Sequence, residues 1–418
     1  MKIKKIIMDI AKRNTTFRKF ARGARDRFER NKFVRIRDKT TTDNKLIYFQ
    51  TFSGRSYGDS PKAIYKEMLK DDRFSDYCFV WSFLEPEKYS FLENNRNTKV
   101  ISSKSEEERK YLARAGYWIS NYRMLDYYWP KKDQIYVQCW HGTPLKRLGY
   151  DLVKSDNVMN SIEEIREKYR TDTERFTYFL SPSAYASDKF ISAWNMKAAG
   201  KENAIIEEGY PRNDELYTAT EDDIKALKRE MGIDDIGNKK VILYAPTWRD
   251  NQHVSGVGYT YQLNVDFDYL REKLSDDYII LFRAHYLVAN NFDFEKYKGF
   301  VYNVSDHDDV NGAFLVSDML VTDYSSVFFD YANLRRPEIF YMYDMEEYRD
   351  SLRGFYISTD ELPGPIVKNE SALVDAIKSA KTTPDAKYEA FVKKYDYKDD
   401  GHAAERVIEK LFFEDSRE

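Results

Sequence analysis

Met319-Leu-Val-Thr322-Asp-Tyr-Ser-Ser326-Val-Phe-Phe-Asp330-Tyr-Ala-Asn-Leu334 reads as a short apolar strand over 319–322, a polar turn, and a helix over 327–334. The same β-loop-α unit recurs on either side. Val241–Tyr244, Tyr278–Phe282 and Phe300–Tyr302 read as strands of a series that begins near Glu221, and Glu370–Ala380 as one of its helices. An earlier series has strands at Leu46–Gln50, Tyr77–Phe83, Thr98–Ile101, Tyr117–Asn121 and Ile135–Gln138, and a strand end at Phe179. Its helices fall at Pro61–Leu69, Glu106–Ala115, Ser161–Arg170 and Ser187–Trp194. Ser161 and Glu164 have the spacing of a capping box. Alternation of this kind predicts an α/β fold with two doubly wound parallel sheets covered by helices. Ligands of such sheets bind at the carboxyl ends of strands, so two facing sheets place the site in the cleft between them.

The 418 residues suit two or three domains, and 42% hydrophobic with 33% charged residues, 17 Gly and 11 Pro excludes collagen-like, low-complexity and largely disordered chains. Two cysteines, Cys78 and Cys139, cannot build a disulfide framework or a four-thiolate zinc site, which points to a reducing compartment. No apolar run is long enough to span a bilayer, and the amino terminus lacks the core of a secretory signal.

A net charge of -3 hides an asymmetry: residues 1–39 carry fifteen Lys/Arg against four Asp/Glu, leaving the remainder strongly acidic. In this arm Ile3, Ile6, Ile7 and Ile10 recur at helical spacing, and Phe17, Phe20, Ala21, Ala24 and Phe28 do so again, with Lys2, Lys5, Lys12, Arg18, Lys19, Arg22 and Arg25 at other positions. Two cationic amphipathic helices follow. They can lie on an anionic membrane surface through Lys2, Lys5, Ile6, Ile10, Lys12, Phe17, Arg18, Phe20 and Arg22, or pack on the globular body with a solvated basic face. Nucleic acid is not expected as a partner, since the rest of the chain is acidic and shows no base-reading module.

Four polar clusters follow strands: Cys139-Trp-His-Gly-Thr-Pro-Leu-Lys146, Ala245-Pro-Thr-Trp-Arg-Asp250, Arg283-Ala-His285 and Thr322-Asp-Tyr-Ser-Ser326. His141, beside Gly142 at a strand end, can accept a hydroxyl proton near neutral pH or serve as a structural loop histidine. His253, His307 and His402 read as solvated. Ser325 and Ser326 can cap a helix, whose amino terminus can also bind phosphate. Asp330, one turn further in, can hold a substrate hydroxyl or face solvent. Arg283 and His285, two apart, can project alike toward a diphosphate or pair with nearby carboxylates.

In order along the chain, Trp140-His-Gly-Thr-Pro-Leu-Lys146, Gly209-Tyr-Pro-Arg-Asn-Asp214, Leu243-Tyr-Ala-Pro-Thr-Trp-Arg-Asp250, Arg283-Ala-His285, Thr322–Asp330, Arg353-Gly-Phe-Tyr356 and Pro363-Gly-Pro365 resemble the motif set of the CDP-glycerol glycerophosphotransferases of teichoic-acid synthesis. Phe52-Ser-Gly54 with Asp59-Ser-Pro-Lys62 resembles their amino-terminal signature. The resemblance runs from about residue 45 to 400. Tyr286 departs from it, where family members often have proline.

The resemblance implies a GT-B fold: an arm (1–40), an acceptor-side Rossmann-like domain (41–218), a CDP-polyol-binding Rossmann-like domain (219–385) and a helical tail (386–418) packing back on the first domain. It implies that Trp140, His141, Gly142, Thr143, Pro144, Arg212, Pro246, Thr247, Arg283, Ala284, His285, Ser325, Ser326 and Asp330 line the active site. The chemistry it implies is attack of a lipid-linked acceptor hydroxyl on the β-phosphorus of CDP-glycerol with release of CMP, at the cytoplasmic membrane face of a bacterium. His141 is then general base or orienting group. Arg283 and His285, with Thr247, Ser325 and Ser326, neutralise the diphosphate, His285 acting in catalysis as well. No cofactor is required and no metal ligand is assigned, Mg²⁺ being at most an aid in solution. The rival readings are a ribitol phosphate transferase of the same family, a nucleotide-sugar glycosyltransferase of the same fold, and a membrane-bound scaffold. The length favours a primase or a compact polymerase.

Overall fold

The computed structural model describes residues 15–153, 161–247, 253–254, 258–259, 265–284, 292–345 and 354–414, the side chains of 15–22, 253–254 and 258–259 excepted. The chain forms two compact units, each assembled from separate stretches: residues 1–56, 68–139 and 174–179, and residues 57–67, 140–173 and 180–418. They are discontinuous, unlike the spans 41–218 and 219–385 read from the sequence.

Strands β1 (Asp43–Gln50), β2 (Cys78–Phe83), β3 (Thr98–Ser102), β4 (Ala115–Ser120), β5 (Ile135–Gln138), β6 (Tyr178–Ser181) and β7 (Ile205–Glu207) form a sheet in the order β3-β2-β1-β4-β5-β6-β7. Each pair from β3 to β6 is parallel. In the second unit, β8 (Lys240–Ala245) is followed by two-residue strands β9 (His253–Val254) and β10 (Gly258–Tyr259), then by β11 (Tyr278–Phe282), β12 (Val301–Asn303), β13 (Met319–Thr322), β14 (Glu338–Tyr341) and β15 (Ile366–Val367). The second sheet runs β12-β11-β8-β13-β14-β15, all parallel. Chain order reverses between β8 and β13, the switch point at which such sheets bind ligands.

Both faces of the second sheet are buried, as parallel sheets require. Side chains alternate between two cores: Val241, Leu243, Ile279, Leu281 and Leu320 enter one, and Ile242, Tyr244, Ile280, Phe282 and Val321 the other. The carboxyl-terminal helix Ala386–Tyr395 completes the first core, where Phe391 and Tyr395 pack on Phe329 and Tyr395 meets Tyr185 edge-on at 4.8 Å. The tail therefore packs within the second unit, on residues from both spans of the sequence reading.

The expected helix starts are present. Ser161 and Glu164 bond reciprocally, and Thr220 with Asp223 forms a second capping box. Among the described residues of the arm, Thr15–Arg37 is a helix. Its last turns dock on the first unit: Phe33 is fully buried against Tyr128 (5.0 Å) and Trp118 (6.4 Å), and Glu29 pairs with Arg109. Over these turns the packed-helix alternative holds, while Phe28 stays 67% exposed. Lys2, Lys5, Ile6, Ile10 and Lys12, and the side chains of Phe17, Arg18, Phe20 and Arg22, lie outside the described residues. No helix among the described residues is long and apolar enough to cross a membrane.

Candidate active site

Three strand ends of the α/β framework build one cavity of about 220 Å³, all of it within the second unit. Residues 140–146 and Leu148 come from the loop after β5, Thr247 follows β8, and Tyr324, Ser325 and Ser326 follow β13. The last two groups flank the switch point, where Thr322 on β13 is in register with Ala245 on β8 and donates to its carbonyl at 2.7 Å.

Trp140 leaves β5 with φ at +52°, a left-handed conformation that a bulky residue adopts only when its surroundings fix it. Trp194 supplies that constraint, meeting the indole edge-on at 4.7 Å. His141 stacks on the same indole, with ring centres 4.2 Å apart. Gly142 comes next, with φ at +155°, a conformation L side chains rarely adopt, and a β-carbon there would crowd the wall, 3.1 Å from the Ser326 hydroxyl and 3.5 Å from Nη2 of Arg212. Gly142 and Ser326 thus meet closely, and His141 and Ser326 line one cavity although they stand 185 positions apart in the chain.

A short antiparallel contact holds the far end of the loop. Lys146 bridges Phe355, the Arg147 amide donates to the Gly354 carbonyl (3.1 Å), and the Tyr356 amide donates to the Leu145 carbonyl (2.9 Å). The Tyr356 hydroxyl accepts from the Leu148 amide at 3.2 Å and donates to Asp151. Phe355 also stacks on Tyr324, so one segment braces two walls. This accounts for the Gly354-Phe-Tyr356 motif; Arg353 is outside the described residues.

Beneath Gly142 lies a buried ionic network. Arg212 donates to Asp330 and to Asp59 (3.2 Å), and Asn213 donates to Asp330 (3.1 Å) and Asp399 (2.6 Å). Burial opposes the guanidinium charge, but Asp330 and Asp59 outweigh it and hold Arg212 protonated. Asp399 is pushed up to about 7 by burial, against the bonds from Asn213 and the Tyr210 amide. Between about pH 4 and 7 the folded state keeps a proton that the unfolded chain has released, so this carboxyl lowers stability as pH rises through that window. Between pH 5 and 8, urea titrations of wild type are expected to lose about 3 kcal/mol more than those of D399N. Equal losses would show that Asp399 does not hold that proton.

The other sequence-derived positions divide. Trp140, Gly142, Thr143, Pro144, Thr247, Ser325 and Ser326 join His141 in the lining. Arg212 and Asp330 pair with each other below it, so Asp330 is neither solvent-facing nor free. Pro246 precedes Thr247, whose amide and hydroxyl both donate to Asp323. Arg283 turns to the carbonyls of Val304 (2.8 Å) and His307 (2.9 Å), and the Ala284 amide donates to Ser305. His285 lies outside the described residues, as does Trp248-Arg-Asp250.

Some expectations are corrected. Ser326 makes no capping bond with its side chain, and the α-helix it precedes, Val327–Tyr331, has five residues before tightening to a 3₁₀ turn. The helix-terminus contribution to anion binding is correspondingly small, leaving the hydroxyl to the cavity. His307 is partly buried beside Glu230 rather than standing in solvent, while His402 is exposed as expected, with Glu405 beside it. The sequence reading missed Leu145, Lys146, Leu148 and Tyr324 as lining residues, and Asp59, Asn213 and Asp399 as supports. Lys146 closes the Trp140–Lys146 motif, which is the signal that could have found it. Among the described residues no group of three or more His, Cys, Asp and Glu is placed to hold a metal ion.

A parallel-sheet α/β enzyme with an imidazole and several hydroxyls converging at a switch point defines a group-transfer class. The model of the CDP-Glycerol:Poly(glycerophosphate) glycerophosphotransferase family matches residues 32–413, and the chain belongs to that family. It is 37% identical over 376 residues to the teichoic acid glycerol-phosphate transferase of Staphylococcus aureus (strain NCTC 8325 / PS 47), covering 88% of this chain and 93% of the relative. It is 36% identical over 372 residues to the teichoic acid poly(glycerol phosphate) polymerase of Bacillus spizizenii (strain ATCC 23059 / NRRL B-14472 / W23), covering 88% and 92%. Among solved structures it resembles a histidine variant of the wall teichoic acid polymerase TagF soaked with CDPG, with a TM-score of 0.82 and 35% identity over 94% of this chain and 96% of that one. That likeness agrees with the expected GT-B class.

Proposed function

We propose that this member of the glycerophosphotransferase family uses the cavity after β5, β8 and β13 to transfer glycerol phosphate from CDP-glycerol to a hydroxyl of a lipid-linked saccharide or polyol-phosphate acceptor. The chain is a transferase of teichoic-acid synthesis, and glycerol phosphate rather than ribitol phosphate is the group moved. The observation that carries the residue assignment is the meeting of His141 with Ser325, Ser326 and Thr247 in one cavity at the switch point.

His141 takes the proton of the acceptor hydroxyl as its oxygen bonds to the β-phosphorus. The bond from that phosphorus to the bridging oxygen breaks, and CMP leaves with the electron pair. The hydroxyls of Ser325 and Ser326 meet the phosphate oxygens, with Thr247 bonded to Asp323 beside them and Arg212 and Asp330 fixing the wall beneath. In this reading His285, Ala284 and Pro246 complete the donor side, and Arg283 braces the loop behind them through the carbonyls of Val304 and His307. The arm places the enzyme on an anionic membrane surface, with exposed Phe28 in support.

Incubation with CDP-glycerol or CDP-ribitol and a synthetic lipid-linked acceptor in anionic vesicles, read by product mass, tests the whole. CMP release with glycerol phosphate added is expected; one addition marks a primase and many a polymerase. Transfer from CDP-ribitol alone would reject the donor assignment. A chain lacking residues 1–22, which keeps the docked turns of the arm, is expected to fail on vesicles yet work on soluble acceptors.

A further inference from the structure

We propose that Tyr185 is a positioning residue for the transfer, its hydroxyl holding the loop that carries His141 so that the imidazole keeps its aim. Its role rests on reading the cavity as the transfer site. Tyr185 is not among the lining residues and acts through the loop backbone.

The loop after β5 turns on both sides of His141, with φ at +52° in Trp140 and +155° in Gly142, so no helix or strand fixes the backbone that carries the imidazole. The constraint has to come from a neighbouring element. One helix, Ala184–Ala193, supplies it from both of its ends. At the carboxyl end Trp194 meets Trp140 edge-on at 4.7 Å, and its own indole nitrogen donates to Asp172 at 3.0 Å. At the amino end the Tyr185 hydroxyl donates to the carbonyl of Pro144 at 2.8 Å. His141 therefore sits within 140–144, a stretch pinned at its first and last residues.

Pro144 is buried in a loop, where a carbonyl has no ladder partner, and the hydroxyl keeps it from being an unpaired acceptor. Phenylalanine would fill the same space without that bond. The ring is itself held in place. Tyr395 meets it edge-on at 4.8 Å, and Phe329, on the helix that follows Ser326, lies 6.4 Å away and 25° from parallel. The Lys189 ammonium, one helical turn further on, lies 5.5 Å from the centre of the Tyr185 ring and 5.7 Å from that of Tyr356. Tyr356 in turn bonds Leu145 through its amide and Leu148 through its hydroxyl. Pro144, Leu145 and Leu148 are thus fixed by two tyrosines that share one cation, and Phe329 ties the brace to the wall that carries the serines.

The test measures CMP release from CDP-glycerol, with a synthetic acceptor present, by full-length wild type, Y185F, H141A and Y185F/H141A, folding being checked by circular dichroism. Y185F is expected to lower kcat about 10-fold with KM for CDP-glycerol within about two-fold of wild type, because aim counts only as the proton moves. On the H141A background the same change is expected to cost less than about two-fold, since no imidazole is left to aim. A merely structural loss reduces both backgrounds alike, so an equal fold-loss in Y185F/H141A would overturn the proposal, as would a wild-type kcat in Y185F. Should Y185F not fold, K189M carries the same comparison: it keeps the hydroxyl, takes the shared cation from both rings, and is expected to lose about three-fold. Amide exchange over 141–148 is expected to run about 10-fold faster in Y185F, and unchanged exchange would count against the brace. A wild type that releases no CMP, with exchange still faster in Y185F, keeps the brace and rejects the transfer reading.

Discussion

Replacing His141 with alanine is expected to lower kcat for glycerol-phosphate transfer about 10²-fold or more while CMP binding changes little. The acceptor oxygen is a poor nucleophile until its proton has somewhere to go, and the imidazole is the titratable base near neutral pH among the described lining residues. Its aim is set by structure: the ring lies on Trp140, whose backbone is held left-handed by the Trp194 contact. Asparagine at 141 keeps much of the shape and hydrogen bonding without an accessible basic pair, so it should lose nearly as much rate as alanine. Quenched-flow measurement of CMP release decides the matter. Release at the wild-type rate from H141A or H141N would take this residue out of the chemistry.

Replacing Arg212 with methionine is expected to destabilise the chain by about 3–5 kcal/mol and abolish turnover together. The guanidinium is 8% exposed and lies between Asp59 and Asp330, so removing it leaves two buried carboxylates without their cation. Lysine should rescue little, since one ammonium cannot present the fork that meets both carboxylates. The double variant R212M/D330N should recover part of the lost stability by removing one orphaned charge. Urea midpoints report this directly; an R212M midpoint equal to wild type would show that the network is not needed to hold the wall under Gly142.

Local pattern made most of the fold legible. Tyr278–Phe282 and Met319–Thr322 were bounded correctly because a buried parallel strand is a nearly continuous apolar run. The missed elements, such as Ile366–Val367 and Ile205–Glu207, are two or three residues long, and strands that short have no period to read. The cavity was legible where a motif sits directly after a strand, as with Trp140–Pro144 and Ser325–Ser326. It was illegible at Tyr324, whose tyrosine reads as core until its ring is seen against Phe355.

The sequence by itself determined the class of the fold and of the chemistry, because strand periodicity, turn residues and side-chain reactivity are properties of a few neighbouring residues. Only the tertiary structure decided which partners the expected ligand-binding charges take. Arg212 and Arg283 look alike in the sequence, yet burial and hydrogen bonding commit the one to carboxylates and the other to carbonyls. A charge acts on whatever lies within a few ångströms of it in a low-dielectric interior. Those neighbours, at positions 59, 304 and 330, come from parts of the chain that no local pattern connects.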